Sequence, residues 1–226
     1  MQTRWMQRAF LLVGAAALAS AVACSQTDIA GSVYGAFNGT TTNGVVSQSP
    51  SNAAGALLEV RHISKPYFGF EGTYAYSRAN QGYSLSPLPT ACPTSGCSIT
   101  VASISANAHE VTADYLASVK IKLTGFRIFA LTGGGLLLDV PDNGHVSVCS
   151  SGSSGSSGCV TSNTSTSTKP VFVYGGGLDW GFLPHIGLRL QYRSNLYKAP
   201  DLTNLFTSTS AFTHTSEPMI GVYFRL

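Results

Sequence analysis

Past a short apolar leader, the chain alternates. Hydrophobic residues exchange places with small or polar ones at every second position, in runs of roughly eight to fourteen residues. No stretch sustains a helical period. Eight such runs predict eight strands, at about 28–38, 55–63, 68–77, 109–119, 126–140, 171–182, 186–193 and 213–226. The connections alternate in length. Ser64–Tyr67, Lys120–Gly125 and Leu183–His185 are turns, whereas 39–54, 78–108, 141–170 and 194–212 are long and rich in Ser, Thr, Asn, Gly and Pro. Long loops at one end and tight turns at the other predict antiparallel strands running up and down.

The two faces of each run differ in kind. Leu188, Leu190 and Tyr192 oppose Gly187, Arg189, Gln191 and Arg193. Phe68, Phe70, Tyr74 and Tyr76 oppose Gly69, Glu71, Thr73, Ala75 and Ser77. Phe172, Tyr174, Leu178 and Trp180 oppose Val173, Gly175, Gly177 and Asp179. Alternation alone does not say which face is outside, and composition decides it. Only 10% of the residues are charged, too few to cover the surface of a soluble barrel with its apolar face turned inward. Turned outward, that face meets lipid, and a closed barrel leaves no unpaired backbone edge there. The small, polar face suits a narrow lumen, which eight strands leave just wide enough for side chains to fill. The expected fold is therefore all-β: an eight-stranded antiparallel up-and-down transmembrane β-barrel with four long extracellular loops and three short periplasmic turns. Tyr67, Tyr76, Trp180 and Tyr192 are expected in the interfacial belts.

Residues 1–23 read as a signal peptide, with 24–226 as the barrel domain. Arg4 and Arg8 precede an apolar run from Phe10 to Val22, and Ala21-Val22-Ala23 gives a small-x-small cleavage site. Cleavage lowers the net charge from +3 to +1, which argues against a nucleic-acid partner. Ala21-Val22-Ala23-Cys24 resembles a bacterial lipoprotein box, although Ala21 stands where that pattern prefers Leu. Lipid on Cys24 and ordinary cleavage both remain open. The other cysteines form two close pairs, Cys92 with Cys97 and Cys149 with Cys159, each inside a Ser/Thr/Gly/Pro-rich stretch. In an exported chain these read as loop-stapling disulfides. Zinc is the rival reading, but neither pair has C-x2-C spacing. No metal or other cofactor is expected.

These features resemble the bacterial outer-membrane β-barrel proteins of the small OmpA/OmpX type. The resemblance rests on the leader, on the strand and loop rhythm from Asp28 to Leu226, and on the last strand. There Ile220, Val222, Phe224 and Leu226 alternate back from the C-terminus, like the signal read by the barrel-assembly machinery of that group. Leu226 departs from the usual Phe. The resemblance implies residence in the bacterial outer membrane, with outer-membrane lipids and the assembly machinery as partners and a monomeric state. No peptidoglycan-binding domain is expected after the barrel, so that role of the larger relatives is not carried over.

Counting across the tight turns gives strand register. A loop at Lys65–Tyr67 sets Arg61 opposite Glu71, and a loop at Leu183–His185 sets Asp179 opposite Arg189. The same register gives Arg193 and Gln191 room beside Gly175 and Gly177. Buried charges must be paired. An internal network of Glu59, Arg61, Glu71, Arg127, Asp179, Arg189 and Arg193 is expected, either plugging the barrel or gating a solute path.

His214, Ser216 and Glu217 are candidates for acyl transfer near the outer rim. Adjacent residues on a strand point to opposite faces, so Glu217 is badly placed to assist Ser216, and Pro218 suggests a polar rim ending in a bulge. Gly133–Gly135 and Gly175–Gly177 precede no helix and fit no phosphate loop; packing space in neighbouring strands is the better reading. The expected function is structural or surface-interacting, carried by the loops and without catalysis. Alternatives are a small-solute channel, a soluble lipocalin-like barrel and a lipid A-modifying enzyme. The loop ligand stays unknown, since the loops hold no recognisable binding motif.

Overall fold

A computed structural model describes residues 26–43, 46–64, 67–85, 101–121, 124–151, 157–204 and 209–226. The leader, Cys24, Cys92 and Cys97 lie outside the described residues. Twelve strands form: β1 (Gln26–Asn38), β2 (Thr41–Asn43), β3 (Val46–Pro50), β4 (Ala53–Ile63), β5 (Phe68–Leu85), β6 (Val101–Lys120), β7 (Phe126–Pro141), β8 (His145–Ser151), β9 (Ser157–Asn163), β10 (Ser167–Gly181), β11 (Ile186–Lys198) and β12 (Phe212–Arg225).

Eight of them are the staves of a closed barrel. β1, β4, β5, β6, β7, β10, β11 and β12 each pair antiparallel with the next, and β12 returns to β1. The expected all-β, up-and-down plan is what forms. Short turns join β4 to β5, β6 to β7 and β10 to β11, and both ends of the described chain lie at this turn end, where Asp28 faces Arg225. The counted registers hold: Arg61 faces Glu71, Asp179 faces Arg189, Gly175 faces Arg193 and Gly177 faces Gln191.

The staves are longer than the hydrophobic alternation indicated. β5 runs on to Leu85 and β6 begins at Val101, so much of the segment read as a loop over 78–108 is ladder. Beyond the apolar band the outward positions turn polar (Ser103, Ser105, Asn107), the contrast between faces fades, and the backbone pairing continues regardless. Two other connections also carry strands. β3 pairs with the far end of β5 and carries β2 on its edge, while β8 and β9 form a separate hairpin. Pro218 makes no bulge. β12 keeps one register with β1 on both sides of it, and the ladder lapses only where Gly35 and Ala36 face Pro218 and Glu217.

At the loop end the connections pack on one another. Tyr83, Ala102, Ile104 and Ala106 form a small core with Val146 of β8 and with Leu202 from the segment between β11 and β12. Gln48 of β3 donates from its side-chain amide to the Pro200 carbonyl at 3.1 Å, and the Thr41 and Thr209 hydroxyls are 3.1 Å apart. All four connections, or the strand ends that flank them, thus join one cap.

Burial runs opposite to that of a soluble protein. Arg61, Arg189 and Arg193 are fully buried, and Asp28 and Glu59 nearly so. Phe68, Phe70, Ile128, Leu136, Phe172, Leu190, Ile220 and Phe224 are each at least half exposed on the outer wall. Tyr67, Tyr76, Trp180 and Tyr192 are exposed there too. Water would not tolerate that wall, and hydrocarbon would. The chain is a transmembrane barrel.

Candidate functional site

The lumen holds the chemistry-bearing side chains, and they divide into two groups. The first lies toward the turn end. Glu71 Oε2 accepts from both Arg61 Nε and Nη2, at 2.7 and 2.5 Å, charge-assisted bonds across the counted register. Arg61 Nη1 donates to Asp179 Oδ2 at 3.1 Å. Asp179 also accepts from Arg189 Nε and Nη2, at 2.6 and 3.1 Å. Arg189 forms an ion pair with Glu59 as well. Asp28 completes the group, with Arg127, Arg189 and Arg225 within 3.7–3.8 Å.

Aromatic rings close the remaining space. The Arg61 guanidinium lies 4.0 Å from the Phe129 ring centroid, and Arg189 lies 5.1 Å from that of Tyr223. Gly177 makes room for this: a Cβ there would collide with the Phe129 ring and the Leu190 carbonyl. The glycine runs are therefore packing space, and they do lie in paired strands, β7 and β10.

The second group lies toward the loop end. Arg193 donates to Thr112 Oγ1 at 2.9 Å and has Glu110 and Asp114 each at 3.4 Å. Thr112 in turn donates to Asp114 at 3.0 Å, and Asn195 Nδ2 donates to Glu110 at 2.7 Å. Above them sits a cavity of about 40 Å³, lined by alanines including Ala36, Ala75 and Ala106 and by Glu110, Asp139, Asn195 and Glu217.

The expected network of seven is thus split. Glu59, Arg61, Glu71, Asp179 and Arg189 meet directly. Arg127 touches the same group only at its rim, through Asp28 and through Gln26, to which it donates at 2.7 Å. Arg193 belongs to the second group, because its stave position lies farther toward the loop end than Arg189 by more than one turn of alternation. Four further acids were not singled out in the sequence, Asp28, Glu110, Asp114 and Asp139, and Glu217 was weighed only for acyl transfer. Glu110, Thr112 and Asp114 carried a signal, since they alternate on one face of the fourth run.

The acyl-transfer set does not assemble. His214 is exposed on the outer wall, Ser216 Oγ accepts from the Tyr192 hydroxyl at 2.9 Å, and Glu217 is buried in the lumen. Ile220, Val222, Phe224 and Leu226 all point outward. In the β8–β9 hairpin, the backbone register sets Cys149 directly opposite Cys159.

No protein-family model and no curated protein matches the chain. Solved structures do. OprG, an outer-membrane protein of Pseudomonas aeruginosa, is 11% identical over 89% of this chain and 96% of its own, with a TM-score of 0.48. Neisserial surface protein A is 12% identical over 89% and 97%, with a TM-score of 0.44. Ail, the attachment invasion locus protein of Yersinia pestis, solved with the heparin analogue sucrose octasulfate, is 16% identical over 89% and 97%, with a TM-score of 0.41. This is likeness of architecture. The membrane assignment rests on the chain's own inverted burial, and residue roles do not transfer at such identities.

Proposed function

We propose that the chain is a plugged barrel of the bacterial outer membrane that presents its capped loop end outward as a binding surface and performs no catalysis. One observation carries this reading. The turn-end group fills the lumen with guanidinium, carboxylate and aromatic side chains whose charges pair with one another, which suits a wall that stays shut. The cap adds a fixed outer surface. Arg78 pairs with Asp142 and Lys169 with Asp201, Lys198 lies over the Phe212 ring, and Ser, Thr and Asn set the rest of its character. Such a surface fits an uncharged partner, a neutral glycan or a polar protein face, better than a polyanion.

The supporting roles follow the same reading. Residues 1–23 direct export and are removed. The alternating terminal strand, Ile220 to Leu226, is read during assembly, and outer-membrane lipids cover the wall. Cys149 and Cys159 staple the β8–β9 hairpin, and Cys92 with Cys97 staple a second connection. The barrel works as a monomer, and Cys24 either carries lipid or starts the mature chain unmodified.

Conductance in planar bilayers tests the plug. Bilayers containing the purified barrel are expected to stay silent; steady unitary currents from the wild-type chain would overturn the reading in favour of a solute path. Binding at the loop end is expected to survive raised salt, because screening weakens only charge-based attraction. Capture of a partner that is lost in high salt contradicts the uncharged class.

A further inference from the structure

The loop-end half of the lumen holds more buried carboxyl groups than basic groups to match them. Glu110, Asp114, Asp139 and Glu217 are each at most 5% exposed, and Arg193 is the one guanidinium that touches any of them. Lys169 acts on Asp139 through space, but its ammonium is bonded to Asp201 at 2.8 Å. Glu217 sits opposite Arg193 in the β11–β12 ladder, yet the two side chains form no ion pair.

The cavity beside them shows where the excess points. Among the described residues, three oxygen atoms of its lining have no protein hydrogen-bond partner: Asp139 Oδ2, Asn195 Oδ1 and Glu217 Oε2. All three accept. The Asn195 amide nitrogen is committed to the carboxylates of Glu110 and Glu217, which leaves Glu217 Oε2 and its own Oδ1 without a donor. Each of the three residues is at least 95% buried. Buried acceptors without donors are rare and call for an occupant. Five alanines on its walls keep the space open beside Tyr34, Tyr197 and polar side chains such as Gln81 and Thr215, and its volume of about 40 Å³ admits water-sized groups.

We propose that this chamber binds a hydrated divalent cation, Mg²⁺ or Ca²⁺, between Asp139, Asn195 and Glu217. Carboxylate and amide oxygens are hard donors, the type that such ions prefer. A double charge answers an excess of acid that a single charge leaves mostly uncompensated. Among the described residues no three acidic, His or Cys side chains converge closely enough to ligate one ion together. Part of its shell is therefore water, which Mg²⁺ in particular retains. Glu110 supplies field from the next position, itself tied to Arg193 and Asn195.

The test uses the mature barrel in detergent micelles, stripped of metal with EDTA. It is titrated with MgCl₂ and with CaCl₂ by isothermal calorimetry, and thermal unfolding is followed alongside. The expected result is saturable binding of a single divalent ion, a raised unfolding temperature, and at least tenfold weaker binding in the double variant Asp139→Asn, Glu217→Gln. KCl at matched ionic strength is expected to do neither. No heat and no thermal shift with either divalent salt overturns the proposal. So does wild-type affinity in the double variant, which would put the ion elsewhere, or an equal thermal shift with KCl, which would mean screening. Heat-modifiable gel migration reports whether the variant has folded. If the double variant does not fold, Asp139→Asn alone is titrated, and wild-type affinity there overturns the proposal equally.

Discussion

The two halves of the lumen contain the same number of buried carboxylates and behave as opposites. Toward the turn end, Asp28, Glu59, Glu71 and Asp179 face Arg61, Arg127, Arg189 and Arg225, four against four. Toward the loop end, Glu110, Asp114, Asp139 and Glu217 face Arg193 alone. The first half balances its charges, although Glu59 Oε2 and Glu71 Oε1 have no hydrogen-bond partner. The second also leaves Asp139 Oδ2 and Glu217 Oε2 without one, and sets a single guanidinium against four carboxyl groups. The difference shows that burial by itself does not make a site. A carboxylate with a matched guanidinium is spent on structure, and one without a match is available for a ligand.

The sharpest way to break the comparison is to unbalance the balanced half. Arg189→Ala removes a guanidinium shared by Asp28, Glu59 and Asp179 and leaves buried charge uncompensated. A loss of about 3–5 kcal/mol is expected in urea unfolding from lipid vesicles. A loss below about 1 kcal/mol would mean that water already reaches these groups. A smaller effect of opposite sign is expected in the other half. Without divalent cations, Glu217→Gln removes a surplus negative charge while keeping shape, and stability rises by on the order of 1 kcal/mol. A marked loss in the same unfolding assay would show that Glu217 is already compensated. The smallest effect belongs outside the lumen. Cys149→Ser with Cys159→Ser changes barrel stability by less than about 0.5 kcal/mol, because the β8–β9 hairpin pairs only with itself. Thiol labelling of the unreduced wild type checks the staple: unreacted cysteines at both positions are expected, and rapid labelling refutes it.

Legibility in the sequence follows the length of the turns. Arg61 with Glu71 and Asp179 with Arg189 were readable because each pair flanks a tight turn, where counting residues sets the partner. Arg193 with Glu110 was not. Those residues are 83 positions apart and meet across the lumen, so no ladder count connects them. The split of the seven-membered network has the same cause: alternation tells which residues point inward, and says nothing of their height along the axis. The membrane-facing wall was legible for the converse reason, since lipid imposes one rule on every stave. Where that rule ends, so did the reading. Ala102, Ile104 and Ala106 alternate with Ser103, Ser105 and Asn107, yet in a setting of Ser, Thr and Pro they resembled a loop and turned out to be the outer part of β6. Pro218 misled in a local way, because its missing N–H falls where the β1 ladder lapses and the register survives.

The shared core beneath the cap has one more consequence. Because Tyr83, Ile104, Val146 and Leu202 come from distant parts of the chain and hold the exposed segments against each other, the outermost contour is a discontinuous epitope. A synthetic peptide copied from any single connection would not reproduce it, and antisera raised against such peptides would recognise the denatured chain better than the intact cell.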